Sequence, residues 1–390
     1  MKDILTKKTN HNLLFLYNIH LFYNIHLLLL FALALSLTGC SLKSQQISRK
    51  PNKKNIKIGA YFYDGWSGQN QHANDPNKPW AKDAPRMVTR LLVEDYPERE
   101  PIWGWRGDSQ EIVEKQIDLA ADNGIDFFLF CWYWRDTKGP INVAAIESAP
   151  HHVSMNYYMK AKNKSRLQYG LLIANHSGAE IIGPDNWEEA ARYWMKYFKD
   201  SQYVTVDKKP LIVVFNPEEL DEESILRMQN VAKENGFSGL SIAGCGSPER
   251  LNKEFTHRTH YNIVPGYRSG SQEHQYSYLI ETHKKQWLGS LKTPYIPEVT
   301  VGWDKRPWEG AEGINVPEGY YFVNRTPEQF ESFLKDAITW MDENPNHTTK
   351  ERLILLYAWN ELGEGGYLVP TKGDPKANYL KVVRKIVFGN

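Results

Sequence analysis

Cysteine is nearly absent from this chain. Three occur in 390 residues, Cys40, Cys131 and Cys245, too few for a disulfide framework or a cysteine-rich metal site. Surplus charge is missing as well: 47 basic side chains stand against 46 acidic ones, and no basic stripe offers a footprint for nucleic acid. No Gly-x-Gly-x-x-Gly run follows the first predicted strand, where Ala60-Tyr-Phe-Tyr-Asp-Gly-Trp66 stands instead. That excludes a nucleotide or dinucleotide site of the usual kind, and no cofactor is expected. His257 and His260 lie three apart without a cysteine or carboxylate cluster beside them, so no metal is expected either.

Aromatic residues, by contrast, are abundant, with 13 Trp and 22 Tyr. Many follow predicted strands, a placement that suits stacking on apolar sugar faces as well as ordinary packing. At the N-terminus, Lys2, Lys7 and Lys8 precede an apolar stretch from Leu27 to Leu37, and Leu37-Thr38-Gly39-Cys40 follows at once. This resembles a bacterial lipobox. It implies a signal peptide over residues 1–40, lipidation at Cys40, and a mature protein held on a membrane, outer membrane or cell surface, facing away from the cytoplasm. An uncleaved anchor helix is the alternative. Residues 41–55, polar and basic, read as a tether. Cys131 and Cys245 sit in apolar strand-like runs and read as buried packing residues.

From Ile56 one pattern repeats: an apolar strand, a loop with polar and aromatic residues, then a helix. Strands are predicted at 56–63, 125–132, 167–175, 210–215, 239–244, 261–267, 295–301 and 352–359. Helix signals lie between them. Asp108 with Glu111 reads as a capping box before Val113, Ile117 and Ala120, with Gly124 as the stop. Asp185 with Glu188 precedes Ala191, Trp194 and Phe198, Asp221 precedes Ile225, Met228 and Ala232, and Thr326-Pro-Glu-Gln329 opens a later helix. A last helix is expected at about 376–387. Eight strands with mostly helical crossovers predict a (β/α)8 TIM barrel over residues 56–390, with a doubly wound open sheet as runner-up.

In a barrel the strand ends converge on one mouth. The residues expected there are Tyr63, Asp64 and Trp66; Trp132, Tyr133 and Trp134; Asn175 and His176; Asn216 and Glu218; Tyr267 and Arg268; Trp303 and Asp304; and Trp359, Asn360, Glu361 and Glu364. Carboxylates, amides and aromatic faces suit a carbohydrate. The centre of this set is the run from Leu353 to Gly366, where an apolar strand ends in Trp-Asn-Glu-Leu-Gly-Glu-Gly-Gly. Gly363, Gly365 and Gly366 are expected to permit backbone angles that aim Glu361 and Glu364 into one cavity. Glu218 and Glu298 form a second candidate pair near the ends of strands four and seven.

Trp359-Asn-Glu-Leu-Gly-Glu-Gly365, with Ile125-Asp-Phe-Phe-Leu-Phe-Cys-Trp-Tyr-Trp134 and Val301-Gly-Trp-Asp304, resembles the glycoside hydrolase family 99-like group, whose members carry the label WbsX-like. The resemblance implies a (β/α)8 barrel and retaining, endo-acting cleavage of an α-linked, mannan-like glycan through a 1,2-anhydro sugar. It implies Glu361 as the base for the sugar 2-hydroxyl and Glu364 as the general acid/base. The other mouth residues, Tyr63, Asp64, Trp66, Trp132, Trp134, Asn175, Tyr267, Trp303, Asp304, Trp359 and Asn360, would bind substrate. Leu362 and Gly363 stand where family 99 proper carries Trp and His, so the resemblance speaks to the reaction more than to the sugar. Two other readings stay open: a non-catalytic glycan-binding lipoprotein, and a WbsX-like glycosyltransferase of polysaccharide synthesis.

Overall fold

The computed structural model describes residues 55–134, 140–176, 178–287, 293–309 and 319–389. The predicted signal peptide, Cys40 and the tether up to residue 54 lie outside the described residues. Eight parallel strands form the interior: β1 (Lys57–Phe62), β2 (Phe127–Trp132), β3 (Gln168–Ile173), β4 (Lys209–Val214), β5 (Ser241–Cys245), β6 (His257–Thr259), β7 (Glu298–Thr300) and β8 (Leu353–Tyr357). Their order is β6-β5-β4-β3-β2-β1-β8-β7. A parallel bridge between Arg258 and Tyr295 joins the two ends of that order, with Arg258 N donating to Pro294 O at 2.8 Å and Ile296 N donating to Arg258 O at 2.8 Å. The architecture is a (β/α)8 barrel. Its strands are buried along nearly their whole length, as β2 shows with six buried residues in Phe-Phe-Leu-Phe-Cys-Trp, which is why they read as continuous apolar runs and not as alternating ones.

Helices return the chain: α1 (Gln110–Asp122), α2 (Val153–Lys160), α3 (Pro184–Phe198), α4 (Glu222–Glu234), α5 (Tyr276–Trp287), α6 (Pro327–Glu343) and α7 (Asn378–Phe388). Their apolar stripes face the sheet, with Val113, Ile117 and Ala120 buried on α1, Ala191, Trp194 and Phe198 on α3, and Ile225, Met228 and Ala232 on α4. Burial of each large side chain contributes about 1.5–3 kcal/mol.

Two predicted caps fall differently. Ser109 caps α1 by accepting from Ile112 N, while Asp108 accepts from Gly68 N and Arg106. Helix α3 starts with Gly183 and Pro184 and has no side-chain cap, since Asp185 and Glu188 are drawn to Arg227 and Arg192. Asp221 and the Thr326/Gln329 capping box stand where expected.

The sixth strand departs most. It was expected at 261–267 and lies at His257–Thr259, with only the short turn Pro248–Arg250 and no α-helix between it and β5. Tyr261 to Tyr267 form the loop above it. The connection after β1, from Asp64 to Gly107, and that after β7 are long, and they are tied to each other: Trp308 Nε1 donates to Met87 O at 3.0 Å and Thr89 Oγ1 to Pro307 O at 2.7 Å.

Candidate active site

Strand β8 ends at Tyr357, and the chain turns through a short antiparallel pairing of Asn360–Glu361 with Gly366–Tyr367. The glycines serve this turn in two ways. Gly365 has φ +78°, the left-handed region that glycine tolerates. Gly363 and Gly366 do not; they are there for close approach, because a Cβ would fall 2.0 Å from the Trp308 ring at Gly363 and 2.2 Å from the Tyr357 ring at Gly366. The turn thereby presents both Glu361 and Glu364 to one cleft of 670 Å³ at the barrel mouth.

Glu361 is 3% exposed. Its Oε1 accepts from the Tyr261 hydroxyl, while its buried Oε2 has no hydrogen-bond partner among the described residues. Burial pushes its carboxyl well above the ordinary glutamate range and the negative charge of Glu364 adds to this, against the Tyr261 hydrogen bond and the charge of Lys305. Glu364 is half-buried and accepts from the Tyr357 hydroxyl. Each glutamate thus has its own tyrosine, and the two tyrosine rings meet edge to face with centroids 5.0 Å apart.

Of the other expected mouth residues, Tyr63, Tyr133, His176, Tyr267 and Arg268 line this cleft. The rest do not, and each has another task. Asp64, 3% exposed, accepts from Ser154 N at 2.6 Å and from the Ser67 hydroxyl. Trp66 donates to Asn360 O at 2.8 Å and stacks on Trp308. Trp132 packs edge-on against Trp194, and Trp134 packs against Trp132. Asn175 ties the ends of β3 and β4 together, exchanging hydrogen bonds with the backbone N–H and C=O of Asn216 at 3.0 and 2.8 Å. Trp359 is fully buried, packed on Phe128 and donating to Gln116 at 2.8 Å. Trp303 and Asp304 line a separate cavity of 240 Å³, where Asp304 is paired with Arg99 and Arg306.

The second carboxylate pair does not line the cleft. Glu218 is exposed and paired with Arg250 at 2.7 Å. Glu298 is fully buried, accepting from His283 at 2.5 Å and from the Tyr295 hydroxyl. Burial works against its charge, yet His260 and His283 hold its carboxyl at about 2.

Cleft residues that the sequence reading left out of the binding set include Arg86, Cys131, Tyr133, His151, His176, Tyr261, Arg268, Lys305 and Trp308. Period two was the available signal. Along β2 and just beyond it, Cys131 and Tyr133 line the cleft while Trp132 and Trp134 pack behind it; along β3 and just beyond it, Leu172, Ala174 and His176 share the cleft side and Asn175 does not. Cys131 is buried, as expected, and also borders the cleft, its thiol pushed up by burial and by the charge of Glu361. Cys245 is buried.

A family model described as glycosyltransferase WbsX matches residues 105–383. Among curated proteins, an uncharacterized protein WxcX of Xanthomonas campestris pv. campestris is 20% identical over 284 residues, covering 67% of this chain. The chain spans 39% of that relative's length. Among solved structures, a glycoside hydrolase-like protein superposes with a TM-score of 0.56 at 14% identity, covering 85% of this chain and 94% of that one. The family 99 endo-α-mannosidase of Bacteroides thetaiotaomicron superposes with a TM-score of 0.54 at 13% identity, covering 86% and 97%. At these identities the two likenesses establish a shared fold.

Proposed function

This chain belongs to the WbsX family, and from its barrel and its paired glutamates we propose that it is a glycan-active enzyme, a retaining glycoside hydrolase that cleaves an α-linked oligo- or polysaccharide within the chain. The observation that carries the reading is Glu361: buried, with one oxygen uncommitted, and beside a second carboxyl in a cleft large enough for sugar rings. A pocket of several hundred Å³ with a few convergent polar groups is the usual form of a small-ligand site. The fold shared with the Bacteroides endo-α-mannosidase supports the same reading.

Two like charges in a buried site titrate as a pair, and the pair retains one proton as the pH rises through the ordinary carboxyl range. The proposed reaction needs just that. One carboxylate, Glu361, takes the proton from the sugar 2-hydroxyl as its oxygen displaces the leaving group at C1, and the other, Glu364, protonates the departing oxygen. A 1,2-anhydro sugar results. Water then opens it at C1, giving its proton to Glu364 while Glu361 returns one to O2. A raised pKa makes Glu361 a stronger base for a weakly acidic hydroxyl, which is the sense in which burial serves catalysis here.

The family's transferase name supports a second reading, in which the cleft holds a nucleotide-sugar donor. The lipobox-like Leu37-Thr-Gly-Cys40 favours the hydrolase, since it would place the domain outside the cytoplasm where such donors are made. Incubation with α-linked glycans, followed by product sizing and detection of the released anomer, tests the proposal. Retention of configuration without any nucleotide sugar is expected; consumption of a nucleotide sugar with no hydrolysis would establish the transferase.

A further inference from the structure

The cleft holds more positive charge than the proposed reaction requires. Arg86, Arg268 and Lys305 line it alongside Glu361 and Glu364, in a chain whose formal net charge is +1. Two of the three cations meet on one ring. The Arg268 guanidinium and the Lys305 ammonium each lie 5.9 Å from the centroid of Tyr267, which is 48% exposed at the rim of the cleft. Arg268 takes up this position from a backbone φ of +65°, a conformation that a non-glycine residue holds only where its surroundings impose it, commonly at ligand sites. Arg86 is fixed by the Asp64 carbonyl at 3.2 Å and by the His151 ring. Among the described residues, neither Arg86 nor Arg268 forms an ion pair with a carboxylate.

An exposed ring flanked by two cations has the chemistry to take a sugar by its apolar face and an anionic substituent by its charge. Building on the hydrolase reading, we propose that the substrate is an anionic glycan, in which the sugar seated on Tyr267 carries a carboxylate or a sulfate ester recognised by Arg268 and Lys305. Such a substituent also acts on the chemistry. Lys305 is the cation that opposes the raised basicity of Glu361, so an anion that neutralises it leaves Glu361 a stronger base when substrate is bound and not before.

The test uses matched polymers: polygalacturonate with its carboxyl-reduced form, and dextran sulfate with dextran. Binding is measured calorimetrically on the Glu361→Gln chain, so that turnover does not intrude, and cleavage by reducing ends on the parent. One anionic member should bind about tenfold more tightly than its neutral partner, as expected for charge-assisted hydrogen bonds, with a preference that shrinks as salt rises. The pair that shows it distinguishes carboxylate from sulfate. Arg268→Ala and Lys305→Ala should each bring the anionic-to-neutral ratio toward one. Anion binding that depends on these cations, with no glycan cleaved, would retain the site and remove the hydrolase reading. Equal binding within both pairs, binding of neither, or a preference that survives both substitutions overturns the proposal. So does displacement of the anionic polymer by a nucleoside diphosphate, which would assign the cations to a transferase donor.

Discussion

Tyr261 and Glu361, 100 residues apart in the chain, are joined by a hydrogen bond from the tyrosine hydroxyl to Oε1 of the carboxyl. The bond orients the carboxyl and lowers its pKa against the effect of burial. Tyr261→Phe removes the opposing influence while keeping the ring. With Glu361 acting as base, the acidic limb of the kcat/KM profile should move to higher pH, and turnover at neutral pH should fall by roughly tenfold. An unmoved limb would show that Tyr261 serves packing alone.

Glu361→Gln and Glu364→Gln should each reduce turnover by on the order of a hundredfold or more, the usual scale for a positioned acid or base. Oligosaccharide binding should survive in both. An aryl glycoside with a good leaving group needs little protonation at the departing oxygen, so it should restore cleavage to the Glu364 variant more than to the Glu361 variant. The reverse order would exchange their roles.

Gly363→Ala tests the close approach of the turn to the cleft wall. Its Cβ would lie 2.0 Å from the Trp308 ring, and overpacking of this kind costs about 1–3 kcal/mol. The melting temperature should drop and turnover should fall with it, because Trp308 and the two glutamates border the same cleft. Full activity at parental stability would mean that the turn relaxes freely.

Two buried carboxylates should tilt stability with pH in opposite directions. Burial raises Asp64 to about 6 from 3.8. Between about pH 4 and 6 the unfolded chain ionises this group and the folded chain does not, so its contribution is complete below the window and lost as pH rises through it, by up to about 3 kcal/mol. Glu298, held at about 2 by its histidines against burial, contributes above about 4.5 and loses that contribution as pH falls toward 2. Denaturant midpoints measured across pH 2–7 should therefore show Asp64→Asn flattening the upper slope and Glu298→Gln flattening the lower one.

The N-terminal proposal has its own measurement. Cys40→Ala should release the protein from membrane fractions and remove a lipid mass increment from the mature chain. Unchanged fractionation would end the lipoprotein reading and leave the barrel assignment untouched.

Much of the barrel was legible because its strands are apolar on both faces, and because caps such as Asp221 and Thr326 mark helix starts. The sixth strand was not, since His257-Arg258-Thr259 reads as polar loop. Its polar groups are buried and partly paired: Thr259 donates to Ile296 O at 2.9 Å, His257 meets the Ser241 hydroxyl at 3.1 Å, and Arg258 donates from Nη2 to Gln286 O at 3.2 Å and lies over the Tyr295 ring at 4.3 Å. That Glu361 and Glu364 border one cleft was legible from the glycine turn that carries them. The binding set suffered from a phase error of one residue. Trp132, Trp134 and Asn175 attract attention as chemical types, but alternation along a strand turns their neighbours Cys131, Tyr133 and His176 toward the cleft. Arg86, Lys305 and Trp308 belong to long loops, whose inward residues no periodicity marks.

Asn360 holds Tyr63 by both ends of its backbone, accepting from its N–H and donating to its C=O, each at 2.8 Å, while Trp66 donates to the carbonyl of Asn360. An amide side chain here does what a further rung of the sheet would do, and it does so across the seam where the first and last strands meet. The hairpin bearing the glutamates is riveted to the opening segment of the barrel. Thermal breathing at that seam would therefore carry Tyr63 and Glu361 together as one stiff plate, so that the distance from cleft wall to carboxyl stays constant while the outer loops fluctuate around it.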